Sequence, residues 1–171
     1  VYDALLEALK SGDTSIPCVE FRQRYADLCS INEETNKMKL QEEFELLGVM
    51  SPPPETSTCK DAMDPENRDK NRNMDIIPID NMSRPYLFTY IAGATDYINA
   101  VFVDGYKQRD AFIMTQHPLV NTVMDFWTMV YDHDCKTIIM MNTADESEDC
   151  TAYFPTDAGS QVHGPFTVET I

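Results

Sequence analysis

The sequence predicts an α/β fold, and three observations carry that prediction. Apolar residues recur at helical spacing through the first 48 positions, aromatic and β-branched runs follow from Tyr86, and Thr137 to Met141 is short and continuously apolar. At 171 residues, 43% hydrophobic and 25% charged, the chain can bury one core and has a globular rather than a disordered composition.

The elements follow in order. Tyr2, Leu5, Leu6 and Leu9 fall at i, i+3, i+4 and i+7, the stripe of a helix that Gly12 ends. Ser15-Ile16-Pro17 reads as a cap residue and a proline tolerated at a helix start, with Phe21, Tyr25 and Leu28 as the second stripe. Leu40, Phe44 and Leu47 mark a third helix, for which Gly48 is the expected stop. All three stripes are expected to face a core. Residues 1–50 are therefore read as an N-terminal helical region, and 51–171 as the remainder of the domain.

Ser51-Pro52-Pro53-Pro54 breaks the pattern, and the charged stretch from Asp61 to Arg72 predicts a long surface segment as far as Asn73. Tyr86 to Ile91 and Tyr97 to Val103 read as strands. The second meets the turn dipeptide Asp104-Gly105 and should pair with Ala111 to Thr115. Asn121 is placed to cap a helix in which Val123, Phe126, Trp127 and Val130 share a face. Thr137 to Met141 suits a buried sheet centre, Asn142 to Asp149 a polar loop, and Phe166 to Ile171 a last strand. No internal repeat is present.

Charge narrows the partners. The balance of 13 basic against 29 acidic residues gives a formal −16, a field that repels nucleic-acid backbones and anionic lipid. It reads equally as a solubilising surface. Cys18, Cys29, Cys59, Cys135 and Cys150 form no C-x-x-C pair, so no metal site is expected and reduced, buried thiols are the simplest reading. No apolar run is long enough to cross a bilayer, so any anchor would lie outside this sequence.

Short motifs go further than composition. Asp69-Lys70-Asn71-Arg72 followed by Asp75-Ile76-Ile77-Pro78, then Asp96-Tyr97-Ile98-Asn99-Ala100 with Asp104-Gly105-Tyr106, stand in series with Ala111 to Leu119. Asp125-Phe126-Trp127, Lys136-Thr137-Ile138 and Cys150-Thr151-Ala152-Tyr153-Phe154-Pro155 continue it. Together these blocks resemble, in order and spacing, the front portion of a protein-tyrosine-phosphatase domain. The resemblance implies a highly twisted mixed sheet flanked by helices, incomplete at the C-terminal side, with no cofactor.

In that family a cysteine thiolate attacks phosphorus, an arginine clamps the phosphoryl oxygens, and an aspartic acid protonates the leaving tyrosine. None of His117, His133 and His163 precedes a cysteine, and Trp127 precedes threonine, so neither the His-Cys loop nor the Trp-Pro-Asp loop occurs here. No catalytic residue is therefore assigned within these residues. The resemblance makes Lys70, Asn71, Arg72, Asn73 and Asp75 the equivalents of the substrate-recognition loop. Asn73 stands where the family carries a tyrosine that stacks on the substrate ring, while Asp75 matches the aspartate that grips the substrate backbone. Beside Gln116, His117 replaces a glycine; Asp149 replaces a common lysine before Cys150; Val101-Phe102 replaces Asn-Tyr. His117 reads equally as a turn residue, Asp149 as surface, and Asn73 as a neutral change in a loop.

These departures beside intact core blocks resemble second, membrane-distal domains of receptor phosphatases, most of all the MAM-containing mu/kappa group. The implied function is a silent, regulatory, protein-binding module on the cytoplasmic side of the plasma membrane, in a single-pass receptor. Its implied partners are a catalytic phosphatase domain, a receptor or a phosphotyrosine-pathway protein. The alternative is part of an active phosphatase whose catalytic residues lie beyond Ile171.

Overall fold

The computed structural model describes residues 2–51, 54–80, 84–88, 94–141 and 151–171. The chain divides into two compact units, Val1–Pro53 and Pro54–Ile171.

In the first unit, α1 (Tyr2–Ser11) is followed by α2 (Phe21–Leu28), a hairpin of β1 (Ile31–Asn32) with β2 (Lys37–Met38), and α3 (Lys39–Met50). Gly12 ends α1 as expected. Its φ of +62° is one that L side chains adopt with strain, and its N–H donates to Ala8 O. The second helix begins later than Ser15-Pro17 suggested, because Glu20 N–H donates to Pro17 O and a turn intervenes. The third runs through Gly48 to Met50; an ordinary helical glycine costs only about 1 kcal/mol and need not stop a helix. The hairpin was not anticipated. Its turn closes on Asn36, whose φ of +56° suits an asparagine and whose N–H reaches Asn32 O at 2.8 Å.

The stripes of this unit are not core-facing. Leu5 and Leu9 are 65% and 86% exposed, Phe44 is 77% exposed, and neither α2 nor α3 buries a residue. Polar contacts join these elements instead. Arg24 bridges Asp27 and Glu43, Lys37 pairs with Glu45, and Lys39 with Asp27. Asn32 and Thr35 both donate to the Glu42 carboxylate.

The second unit holds the core. Leu87, Ile98, Ala100, Val123, Phe126, Met129 and Tyr153 form one buried cluster, with Ile113, Trp127, Val130, Met140 and Phe154 against it. Strand β3 (Ala100–Val103) pairs antiparallel with β4 (Phe112–Thr115), Ala100 opposite Thr115. The pairing is as expected, though both strands are shorter and residues 104–111 connect them in a loop closed by Gly105 N–H on Gln108 O. Helix α5 (Val123–Asp132) supplies Val123, Phe126 and Met129 to the cluster. Its N-cap is Thr122 rather than Asn121, whose side chain is engaged elsewhere. Strand β6 (Phe166–Thr170) lies where expected and pairs with β5 (Gly159–His163). The chain turns between them at Gly164, where φ is +58° and a Cβ would sit 2.6 Å from Met124 Sδ.

The α/β class is borne out; among the described residues the strands form three two-stranded antiparallel ladders. Several local expectations are corrected. The 51–73 segment is not merely surface: the one-turn helix α4 (Lys60–Met63) carries the fully buried Ala62, beside buried Cys59, Asn67 and Asn71. Tyr86 to Phe88 joins no described ladder, being pinned to the end of α5 through Phe88 N–H on Asp132 and Tyr86 O on His133; residues 89–91 lie outside the described ones. Thr137 to Met141 is not a buried strand. A strand exists through its neighbours, and no described residue pairs with this one, which leaves Ile139 and Met141 75% and 92% exposed. The loop 142–149 lies outside the described residues. Of the cysteines, Cys59 is buried and Cys135 partly so, but Cys18 and Cys29 are exposed; all four are free thiols.

Candidate recognition loop

The residues that the motif resemblance equates with a recognition loop lie on a 3₁₀ turn, Arg68–Lys70, and the extended chain after it. Polar residues, not apolar packing, fix this backbone. Asn71 is buried and fully engaged. Its Nδ2 donates to Ala62 O and Asn67 O, while its Oδ1 accepts from Tyr97 Oη at 2.5 Å and Asn99 Nδ2 at 3.0 Å. Burial pushes the Tyr97 hydroxyl well above its ordinary range, so it stays a donor. Asn99 spends its second N–H on Ile76 O at 2.9 Å.

Lys70 is largely buried and points inward. Its Nζ lies 2.9 Å from Asp125 Oδ2 on the first turn of α5 and 3.3 Å from Tyr97 O. The contact is an ion pair rather than an aligned hydrogen bond. Desolvation raises the Asp125 carboxyl above its usual value, and the Lys70 ammonium only partly offsets this. Asn121 Nδ2 donates to Asp69 O, a second tie from the approach to α5.

Gln116 closes the loop from the other side. Its Nε2 donates to Lys70 O at 2.7 Å and its Oε1 accepts from Arg72 N at 2.9 Å, one carboxamide spanning the peptide units on either side of Asn71. Arg72 Nη2 lies 3.4 Å from His117 O and 3.5 Å from Pro118 O. His117 Nε2 is 3.0 Å from Thr151 O.

Asn73 and Asp75 are exposed and share a turn. The Asn73 side-chain oxygen accepts from Asp75 N at 2.9 Å, and Ile76 N–H reaches Asn73 O. The structure thus gathers Lys70, Asn71, Arg72, Gln116 and His117 into one bonded assembly, with Asn73 and Asp75 on its outer rim. Asp149 lies outside the described residues. Burial, then the Asp134 carboxylate, raises the Cys135 thiol above its ordinary value.

Sequence reading missed the supports of this loop. Arg84 is buried beneath Tyr86 and Tyr97, with Nη2 2.8 Å from Asp61 Oδ2 and Nη1 3.1 Å from Asp96 O. Thr95 Oγ1 donates to Asn67 Oδ1. The available signal was a run of small polar residues, Asn67, Asn71 and Asn99, inside motifs otherwise rich in apolar side chains.

Comparison with known proteins agrees with the motif series. A family model described as protein-tyrosine phosphatase matches residues 67–171. Over its whole length the chain aligns with receptor-type tyrosine-protein phosphatase U of Gallus gallus at 40% identity, covering 12% of that protein. Over 99% of its length it is 38% identical to receptor-type tyrosine-protein phosphatase epsilon of Mus musculus, covering 24%. Over 91% it is 35% identical to receptor-type tyrosine-protein phosphatase zeta of Rattus norvegicus, covering 7%. The chain therefore spans a quarter or less of these relatives.

Proposed function

We infer the role of this chain from one premise: it belongs to the protein-tyrosine phosphatase family, and the relatives it resembles are receptor-type members. We propose that it is the front of a catalytically silent domain, in the second, membrane-distal position of a receptor of the MAM-containing mu/kappa group. Residues 51–171 form the phosphatase part and 1–50 its helical preamble. The domain works on the cytoplasmic side of the plasma membrane as a regulatory, protein-binding module in phosphotyrosine signalling. Its partners are the neighbouring catalytic domain, a receptor or a phosphotyrosine-pathway protein.

The observation that carries this reading is the state of Asn73. Its carboxamide is turned back onto the Asp75 N–H of its own loop, so the rim offers no aromatic face to a phenyl ring. Losing such a stacking wall costs about 1 kcal/mol of substrate binding, roughly fivefold. The formal −16 opposes a phosphorylated, acidic ligand further. A second reading, part of an active phosphatase, is favoured by the retained Asp75 and by a loop fully braced for use.

The test is turnover of a phosphotyrosine peptide by the whole natural domain that contains this segment, beside Asn73→Tyr. The silent reading expects no turnover by the wild type and about fivefold tighter peptide binding by Asn73→Tyr. Wild-type turnover would establish the active reading instead.

A further inference from the structure

Within two residues the chain grips the recognition loop on one side and the 151–155 segment on the other. Gln116 holds Lys70 O and Arg72 N. The next residue sends its ring the opposite way, its Nε2 3.0 Å from Thr151 O. A carbonyl oxygen only accepts, so the His117 ring must carry its proton on Nε2. The ring also meets Tyr153 edge-on, with centroids 5.4 Å apart at 72°. Tyr153 is itself closely packed: buried, edge-on to Phe126 and Phe154, with its carbonyl accepting from Trp127 Nε1 at 2.9 Å.

We propose that His117 is a positioning residue that fastens the 69–75 loop to the 151–155 segment. Two features support a tether over mere filling of space. The hydrogen bond is directional and fixes one ring nitrogen, and the adjoining backbone is bound at the far end through His117 O and Arg72 Nη2 at 3.4 Å. A glycine at this position would keep the Gln116 clamp and lose the whole of the other half. This inference goes beyond the proposed function and stands whether or not the domain turns over phosphotyrosine.

The experiment uses the whole natural domain with His117→Gly, His117→Gln and His117→Phe, read by two-dimensional NMR and amide hydrogen exchange. In the wild type, ring ¹⁵N shifts should show Nε2 protonated; an imidazole protonated on Nδ1 alone would overturn the proposal. His117→Gly should speed exchange at Arg72 and across 151–153 by about five- to tenfold, with the amides of Phe126 and Val130 unchanged. His117→Gln, whose amide can donate to the same carbonyl, should restore protection, and His117→Phe should not. Protection by phenylalanine equal to the wild type would reduce the residue to packing and overturn the tether. Should His117→Gly loosen the entire domain, the glutamine and phenylalanine variants still decide between these outcomes.

Discussion

Helices α1 and α5 are each ten residues long and each carries a one-sided apolar stripe, yet they end in opposite environments. In α5, Val123, Phe126 and Met129 are only 5%, 5% and 2% exposed, whereas Leu5 and Leu9 of α1 stay mostly in solvent. Period determines that a segment is helical and which face is apolar. It does not supply the surface that covers the face. The same contrast extends to the units. The second is held by an apolar cluster with a buried polar scaffold beside it, and the first by exposed ion pairs among α2, β2 and α3. Exposed pairs are screened by salt and carry little stability, so the two units should answer differently to every perturbation.

The largest difference should come from truncating the core. Phe126→Ala removes a ring packed on Trp127 and Tyr153 and should cost about 3–5 kcal/mol, read by urea denaturation of the whole domain. A loss under 1 kcal/mol would mean that α5 is as loosely covered as α1. Next comes Lys70→Met, which leaves Asp125 buried without its cation and should cost about 3 kcal/mol.

Acid should then act on the two units with opposite signs. Hydrogen bonds and charge from Lys39 hold Asp27 below its ordinary value, those from Thr35 and Asn32 hold Glu42 down, and Lys37 holds Glu45 down. Their contribution is present above the ordinary carboxylate range near ~4 and is lost as pH falls through the lowered folded values. Asp125 is raised, so its contribution is full at low pH and is lost as pH rises through its folded value. Acidification should therefore speed hydrogen exchange over 31–45. It should also make the wild type gain stability relative to Asp125→Asn. A wild type that loses stability relative to this variant in acid would show that Lys70 outweighs desolvation.

How much of this was legible depended on where the partner sits in sequence. The β3–β4 pairing could be read because each strand announces itself locally and the pair is joined by a short loop. The stripe of α5 was legible in part: Val123 and Phe126 are buried and Trp127 and Val130 pack against the cluster, while the buried Met129 lay outside the expected stripe. The exposed stripes of α1 and α3, and the unpaired Thr137 to Met141, were misread because periodicity carries no information about a covering surface. The resemblance supplied the residues of the candidate recognition loop, but not the scaffold that holds them. Asn71 to Tyr97 and Asn99, and Gln116 to Lys70 and Arg72, are bonds between residues 26 to 46 positions apart, which no local pattern encodes.

That polar scaffold gives a smaller prediction than the core. Gln116→Ala removes two hydrogen bonds to loop backbone, in a partly exposed place where water can replace them, and should cost about 1–2 kcal/mol. Exchange at Arg72 N–H should quicken with it; a protected Arg72 amide would show that Asn71 alone holds the loop.

The smallest effect is expected at the residue that looked most core-like in the sequence. Leu9 completes the stripe of α1, yet it is 86% exposed, so Leu9→Ser should change stability by no more than about 0.5 kcal/mol. Serine lowers helix propensity slightly, and that alone should account for the shift. The control is Val123→Ser, at the first stripe position of α5, where burial makes an unpaired hydroxyl costly. If both serine variants lose stability equally in the whole natural domain, α1 has a covering surface there, and the contrast between the units belongs to this segment rather than to the assembled protein.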